Sequence, residues 1–191
     1  MTESWNMPGS ELTLFTIGHS NLPIERIIEL LKTQDIEILM DVRSSPYSKY
    51  NPQFNQDQFQ WSIEKAGLHY KFAGDYLGGR PKDPECYKDR QIPEVNADYL
   101  HLVDYPTVMT KAFFQTGIND LIGFASKWRV AILCSEEDPA KCHRHHLIGR
   151  YLVDRGFSVL HIRSDGNLIK DELLPTLSDE PSPKQLSLFE E

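Results

Sequence analysis

The chain has no long hydrophobic run, few cysteines and no surplus of positive charge, and each shortage closes off a class of protein. Its continuous apolar stretches, such as Val130 to Cys134, fall far short of the roughly 20 residues that a membrane span needs. The N-terminus lacks the basic-then-apolar pattern of a secretion signal, so a cytoplasmic location is expected. Three cysteines, Cys86, Cys134 and Cys142, are a sparse and odd set. They read as reduced thiols rather than a disulfide framework. Twenty basic residues against 28 acidic ones leave a net charge of −8. Broad non-specific coating of DNA is therefore disfavoured, although a local basic site remains open. No internal repeat is present.

What is there reads as one domain, since 191 residues fall within the usual span of about 100–200. A chain of this size buries enough surface to need no metal merely for folding. Residues 1–11 are polar and are expected as a flexible lead-in, residues 12–175 as the domain, and residues 176–191 as an acidic disordered tail. Six acids against Lys184 put −5 of the −8 into residues 171–191 and leave −3 on the rest.

Within the domain, Leu12–Ile17, Ile36–Val42, Arg129–Cys134 and Ser158–Ile162 are expected as strands. Apolar spacing from Ile24 to Lys32 predicts a helix with Pro23 in its first turn and Ser20 or Asn21 as cap. Residues 96–127 are expected as two helices broken near Tyr105-Pro106 and Thr116-Gly117, and Ala140–Arg155 as another. The alternation predicts an α/β fold, a three-layer sandwich with a mostly parallel central sheet. Between Arg43 and Pro93 lies a long irregular insertion around a short helix near Asp57–Ala66, expected to face substrate.

Ligands in such sheets sit beyond the carboxyl ends of the strands. Those ends carry His19 and Ser20, then Asp41 and Arg43, then Cys134, Glu136 and Glu137. His19, Asp41, Glu136 and Cys142 are the candidate catalytic residues: the first three for proton transfer, and Cys142 as a nucleophile at a helix start. Arg43, Arg80 and Arg144, with Ser20 and Tyr76, are candidate holders of an anionic or nucleotide-like substrate. Each has a plainer alternative. The arginines can pair with neighbouring acids, Asp41 can brace a turn, His19 can be a hydrogen-bonded turn residue, and the cysteines can be packed thiols. The insertion's Tyr47, Tyr50, Phe54, Tyr70, Phe72 and Tyr76 can stack bases or build a small secondary core. Cys134, Cys142 and His143 offer zinc donors, but zinc is not favoured, because the cysteines are spaced more widely than paired ligands usually are. A phosphatase-type loop, with five residues between cysteine and arginine, is absent from both cysteines.

Thr16-Ile17-Gly18-His19-Ser20, Asp41-Val42-Arg43 with Ser45-Pro46, Tyr76-Leu77-Gly78-Gly79, and Cys134-Ser135-Glu136 through Cys142-His143-Arg144 together resemble the family called domain of unknown function 488. The resemblance covers about residues 12–165 and implies an α/β fold without an agreed activity. Separately, Gln185, Leu186, Leu188 and Phe189 look like the peptide that binds the bacterial DNA sliding clamp, with two apolar anchors on a disordered tether. The same residues can instead pack on the body or on another subunit. The expected function is DNA maintenance or repair, by a hydrolase acting on a nucleotide, base or phosphodiester and recruited by the clamp. The alternative is a non-catalytic nucleotide- or zinc-binding module recruited by its tail.

Overall fold

The computed structural model describes residues 12–49 and 51–177. The lead-in of residues 1–11, Tyr50 and the motif from Gln185 to Phe189 lie outside the described residues. In chain order the elements are β1 (Thr13–Gly18), α1 (Ile24–Thr33), β2 (Ile38–Asp41), α2 (Gln56–Lys65), β3 (His69–Phe72) and α3 (Gly74–Leu77). Then come α4 (Tyr99–Leu102), α5 (Tyr105–Thr110), α6 (Ala112–Ala125), β4 (Val130–Cys134), α7 (Arg150–Val153), β5 (Ser158–Ile162) and β6 (Leu168–Lys170). A six-stranded sheet runs in the order β3-β2-β4-β1-β5-β6. Only the β5–β6 pair is antiparallel.

Strands β2 and β4 are buried along their whole length, and β1 at all but its first residue. That pattern requires cover on both faces of the sheet. On one face, Ile27, Leu30 and Leu31 of α1 and Phe59 and Ile63 of α2 pack on Phe15, Ile17, Leu39 and Leu133. On the other, Phe114, Ile118 and Leu121 of α6, with Leu147, Ile148 and Leu152, pack on Leu14, Met40, Val130 and Ile132. These are the three layers expected. Among the described residues no helix is long and apolar enough to cross a membrane.

The insertion is more regular than its composition implies. It holds β3, which extends the sheet beside β2, and α3, which packs against α6. A Cβ on Gly117 would lie 2.5 Å from Tyr76 Cβ, so Gly117 permits that close approach and α6 runs unbroken through Thr116-Gly117. The break at Tyr105-Pro106 is the start of α5, where Asp104 accepts a hydrogen bond from Thr107 N at 3.3 Å. Pro23 caps α1 through its carbonyl, with no side-chain cap from Ser20 or Asn21. The helix expected over Ala140–Arg155 is a 3-10 turn (Pro139–Lys141), a π-helical turn (Arg144–Gly149) and α7.

Candidate functional site

Neighbouring strands β1 and β4 feed helical segments on opposite faces of the sheet, so a crevice opens where their following loops part. The loops are first joined. His19 N donates to Cys134 O at 3.0 Å and Ser20 N to Ser135 O at 2.8 Å. Gly18 makes this possible, because a Cβ there would collide with the Glu136 carbonyl and the Arg144 guanidinium. Ser20 then turns the chain with a left-handed φ of 43°, a conformation uncommon for a residue with a side chain.

The resulting crevice has a volume of about 720 Å³. His19, Ser20 and Arg43 line it from the first two strand ends, Cys134, Glu136 and Cys142 from the third, and Arg80 from the insertion. Asp41, Tyr76 and Arg144 do not line it. A second cavity of about 460 Å³ near Tyr87 and Pro93 carries Asp89 and Glu94 but none of the strand-end groups.

Asp41 is fully buried and accepts from Arg43 Nε at 2.9 Å, Arg43 Nη2 at 2.5 Å and Tyr70 Oη at 2.7 Å. Burial, with the Asp41 charge adding to it, pushes the Tyr70 hydroxyl far above its ordinary range and keeps it a donor. This carboxylate, expected to transfer protons, is placed as a buried counterion off the crevice lining. Arg43 donates onward to Phe54 O at 2.8 Å and lies 3.3 Å from His19 Nε2. His19 Nδ1 donates to Ser20 O at 2.9 Å, and the ring stacks on Phe54 with centroids 4.0 Å apart. Burial lowers His19 to about 4, so the imidazole is neutral and held at both nitrogens.

Arg144 is also fully buried, and its two terminal nitrogens donate to the carbonyls of Glu136 and Glu137. It pins the loop after β4 and does not line the crevice, so the three arginines expected at one site are not brought together there. Glu137 is held by Arg163 at 2.9 and 2.8 Å, and that guanidinium keeps its carboxyl low. Tyr76 packs at α6 instead of facing the crevice. What faces the crevice with a free end is Glu136, which is exposed, and Arg80, whose guanidinium stacks 4.5 Å from the Tyr99 ring centroid. Lys141 and Tyr99 also line the crevice. Neither was singled out in the sequence; the Lys141-Cys142-His143-Arg144 run was the available signal for the first, and nothing marked the second.

Cys134 and Cys142 are free thiols, both buried. His143 Nδ1 lies 3.7 Å from Cys134 Sγ and 3.8 Å from Cys142 Sγ, and Arg144 N donates to Cys142 Sγ at 3.5 Å. A hydrogen bond from Cys142, and after it the charge near His143, holds the Cys134 thiol low. Burial and the Cys134 thiolate push Cys142 up. Cys142, expected as the reactive thiolate, is thus one of a coupled pair of buried thiols that both border the crevice.

Among curated proteins and among solved structures, nothing matches the chain at a significant level. The family described as Domain of unknown function DUF488 matches residues 23–152, a stretch holding every crevice group above except His19 and Ser20. With about two thirds of its length matched, the chain belongs to the DUF488 family.

Proposed function

We propose that the crevice is the active site of a DNA-maintenance hydrolase acting on a nucleotide, base or phosphodiester. The observation that carries this reading is the pairing, in one crevice, of an exposed carboxylate with cations that no acid neutralises. Glu136 supplies the carboxylate. Arg80 and Lys141 form no ion pair among the described residues, and both line the same crevice. Arginine and lysine in that setting suit a phosphate, and the exposed ring of Tyr47 with the half-buried ring of Tyr99 suits a base. Glu136 takes a proton from the attacking water as its oxygen bonds to the atom attacked, and returns it to the leaving group as that bond breaks, while neutral His19, held by Arg43, brings no charge of its own to the site.

The acidic chain reaches DNA through the sliding clamp. Its tail residues Gln185, Leu186, Leu188 and Phe189 bind that partner, and the tether raises the local concentration of the domain at DNA without a basic patch. Binding of the full-length protein to a bacterial sliding clamp, beside a Leu188→Ala, Phe189→Ala double variant, tests the recruitment. Turnover of damaged, modified and branched DNA by the full-length protein and by Glu136→Gln tests the chemistry. A second reading, a non-catalytic nucleotide-binding module, is favoured by one observation: both nitrogens of His19 and both oxygens of Asp41 are already engaged. Nucleotide binding without turnover of any such substrate would decide for it.

A further inference from the structure

We infer that Cys134, Cys142 and His143 form a three-ligand site for a thiophilic divalent cation of the zinc class, with its fourth position open to the crevice. The ligand atoms of these residues all lie within 4.8 Å of one another. For metal–sulphur bonds of about 2.3 Å and metal–nitrogen bonds of about 2.0–2.1 Å, a tetrahedron separates sulphur from nitrogen by about 3.6 Å. The observed separations are 3.7 and 3.8 Å, so one ion fits between the donors with little movement.

The ring of His143 supplies the second observation. It is buried, its Nε2 has no hydrogen-bond partner among the described residues, and its Nδ1 has only the two sulphurs. Buried polar groups nearly always have a hydrogen-bond partner, and the only partners of this Nδ1 are thiols, which are weak ones. A buried histidine aimed at two thiols and at nothing else has the arrangement of a ligand. The nearby cluster of His145, His161 and Asp171 is equally compact but differs in this respect. There each ring nitrogen has an oxygen partner, from Thr16, Asp171 or Pro175, at 2.7–3.0 Å. There Asp171 Oδ2 is without a partner among the described residues, but neither imidazole has a nitrogen left for a metal.

The fold also removes the spacing objection. Ligands two to four residues apart belong to tight knuckles, whereas Cys134 ends a strand and Cys142 returns on a loop folded back over it. Gly79 lets the insertion close over the imidazole, since a Cβ there would lie 2.6 Å from His143 Nδ1. All three donors border the crevice, and three protein ligands with one open position are the arrangement of catalytic rather than structural zinc sites. The inference deepens the proposed function by giving that crevice a cofactor class, and it rests on that reading only for the use made of the ion.

The test reads metal binding and not turnover, so the two can fail independently. Reduced full-length protein titrated with Co²⁺ is expected to take up one equivalent and to develop a thiolate-to-cobalt charge-transfer band, displaced by Zn²⁺. Cys134→Ser and Cys142→Ser should each weaken binding at least about tenfold and diminish the band, and His143→Gln should weaken it comparably. Cys86→Ala, remote from the crevice, should bind as the unmodified protein does. Absence of the band while both thiols remain titratable overturns the site, and needs no variant to fold. So does a band that survives loss of both cysteines, or isolation of the chain with Cys134 and Cys142 joined as a disulfide.

Discussion

Arg43 Nη2 lies 2.5 Å from Asp41 Oδ2, inside the protein, with the two side chains 5% and 0% exposed. The pair ties the end of β2 to the floor of the crevice, because the same guanidinium reaches His19 and the Phe54 carbonyl. Two residues that read as acid and anion holder are thus each other's partner, and their joint effect is to position His19.

Replacing Asp41 by Asn leaves that guanidinium buried without a counterion. Breaking one side of a buried pair usually costs about 3–5 kcal/mol, and urea denaturation of Asp41→Asn should show a loss of that order. Turnover per folded molecule should change far less than it does for Glu136→Gln. A variant of normal stability that has lost activity would instead place Asp41 among the reacting groups.

Two glycines should respond in opposite directions. Gly18→Ala forces a methyl group onto backbone and guanidinium, and overpacking of this kind costs about 1–3 kcal/mol. Gly123 sits exposed in α6 with nothing within 4 Å of an added Cβ. Gly123→Ala should therefore stabilise the protein by about 0.5–1 kcal/mol. Paired denaturation curves check both signs.

Stability should fall as the solution is acidified, in two stages. Burial holds His161 below its ordinary value of 6.5, so the unfolded chain takes up this proton first and stability declines as pH drops below about 6.5. His19, lowered to about 4 by burial, adds to the same slope. For Asp171, burial acts upward, but hydrogen bonds from His145 and His161 outweigh it and hold the carboxyl below 3.8. Its contribution is present above that pH and is lost as pH falls through the lowered folded value. Denaturation midpoints between pH 7.5 and 3 should show both stages, and His161→Gln should flatten the first.

Glu136 and Arg80 are exposed, so their replacement should shift stability by no more than about 0.5 kcal/mol. If Glu136 handles the proton, Glu136→Gln should lower kcat by roughly 10²–10⁴. Arg80→Ala should act mainly on KM. Steady-state kinetics on a DNA or nucleotide substrate separates the two, and unchanged kcat in Glu136→Gln would remove it from the mechanism.

The central strands were legible because burial on both faces leaves a continuous apolar run, as in Val130–Cys134. Strand β3 was not, since exposed His69 and Lys71 alternate with buried Tyr70 at the sheet edge, between Gly67 and Gly74, in a stretch that reads as loop. Strand β6 is three residues long and has no buried residue to mark it. At the crevice, the meeting of the strand ends followed from parallel topology. The direction of each charged side chain did not: Arg144 and Asp41 have the composition of a site, and only their partners reveal them as internal braces. For Asp41, Arg43 and His19 the plainer alternatives, a braced turn, a paired arginine and a hydrogen-bonded histidine, describe the contacts found.

The π-helical turn at Arg144–Gly149 follows directly on Cys142 and His143. Its wider winding accommodates about one residue more than an α-helix would over the same rise. A segment without that residue and with ordinary α-helical winding would span the same rise and keep Leu147 and Ile148 on the same buried face, so the turn takes up the extra residue locally, where the Cys142-His143 pair meets the helix. Chain length at this point is thus a structural feature in its own right, separate from the identity of the donor residues. In comparing DUF488 chains, a one-residue gap here would mark the loss of the π-helical turn, not the loss of a donor.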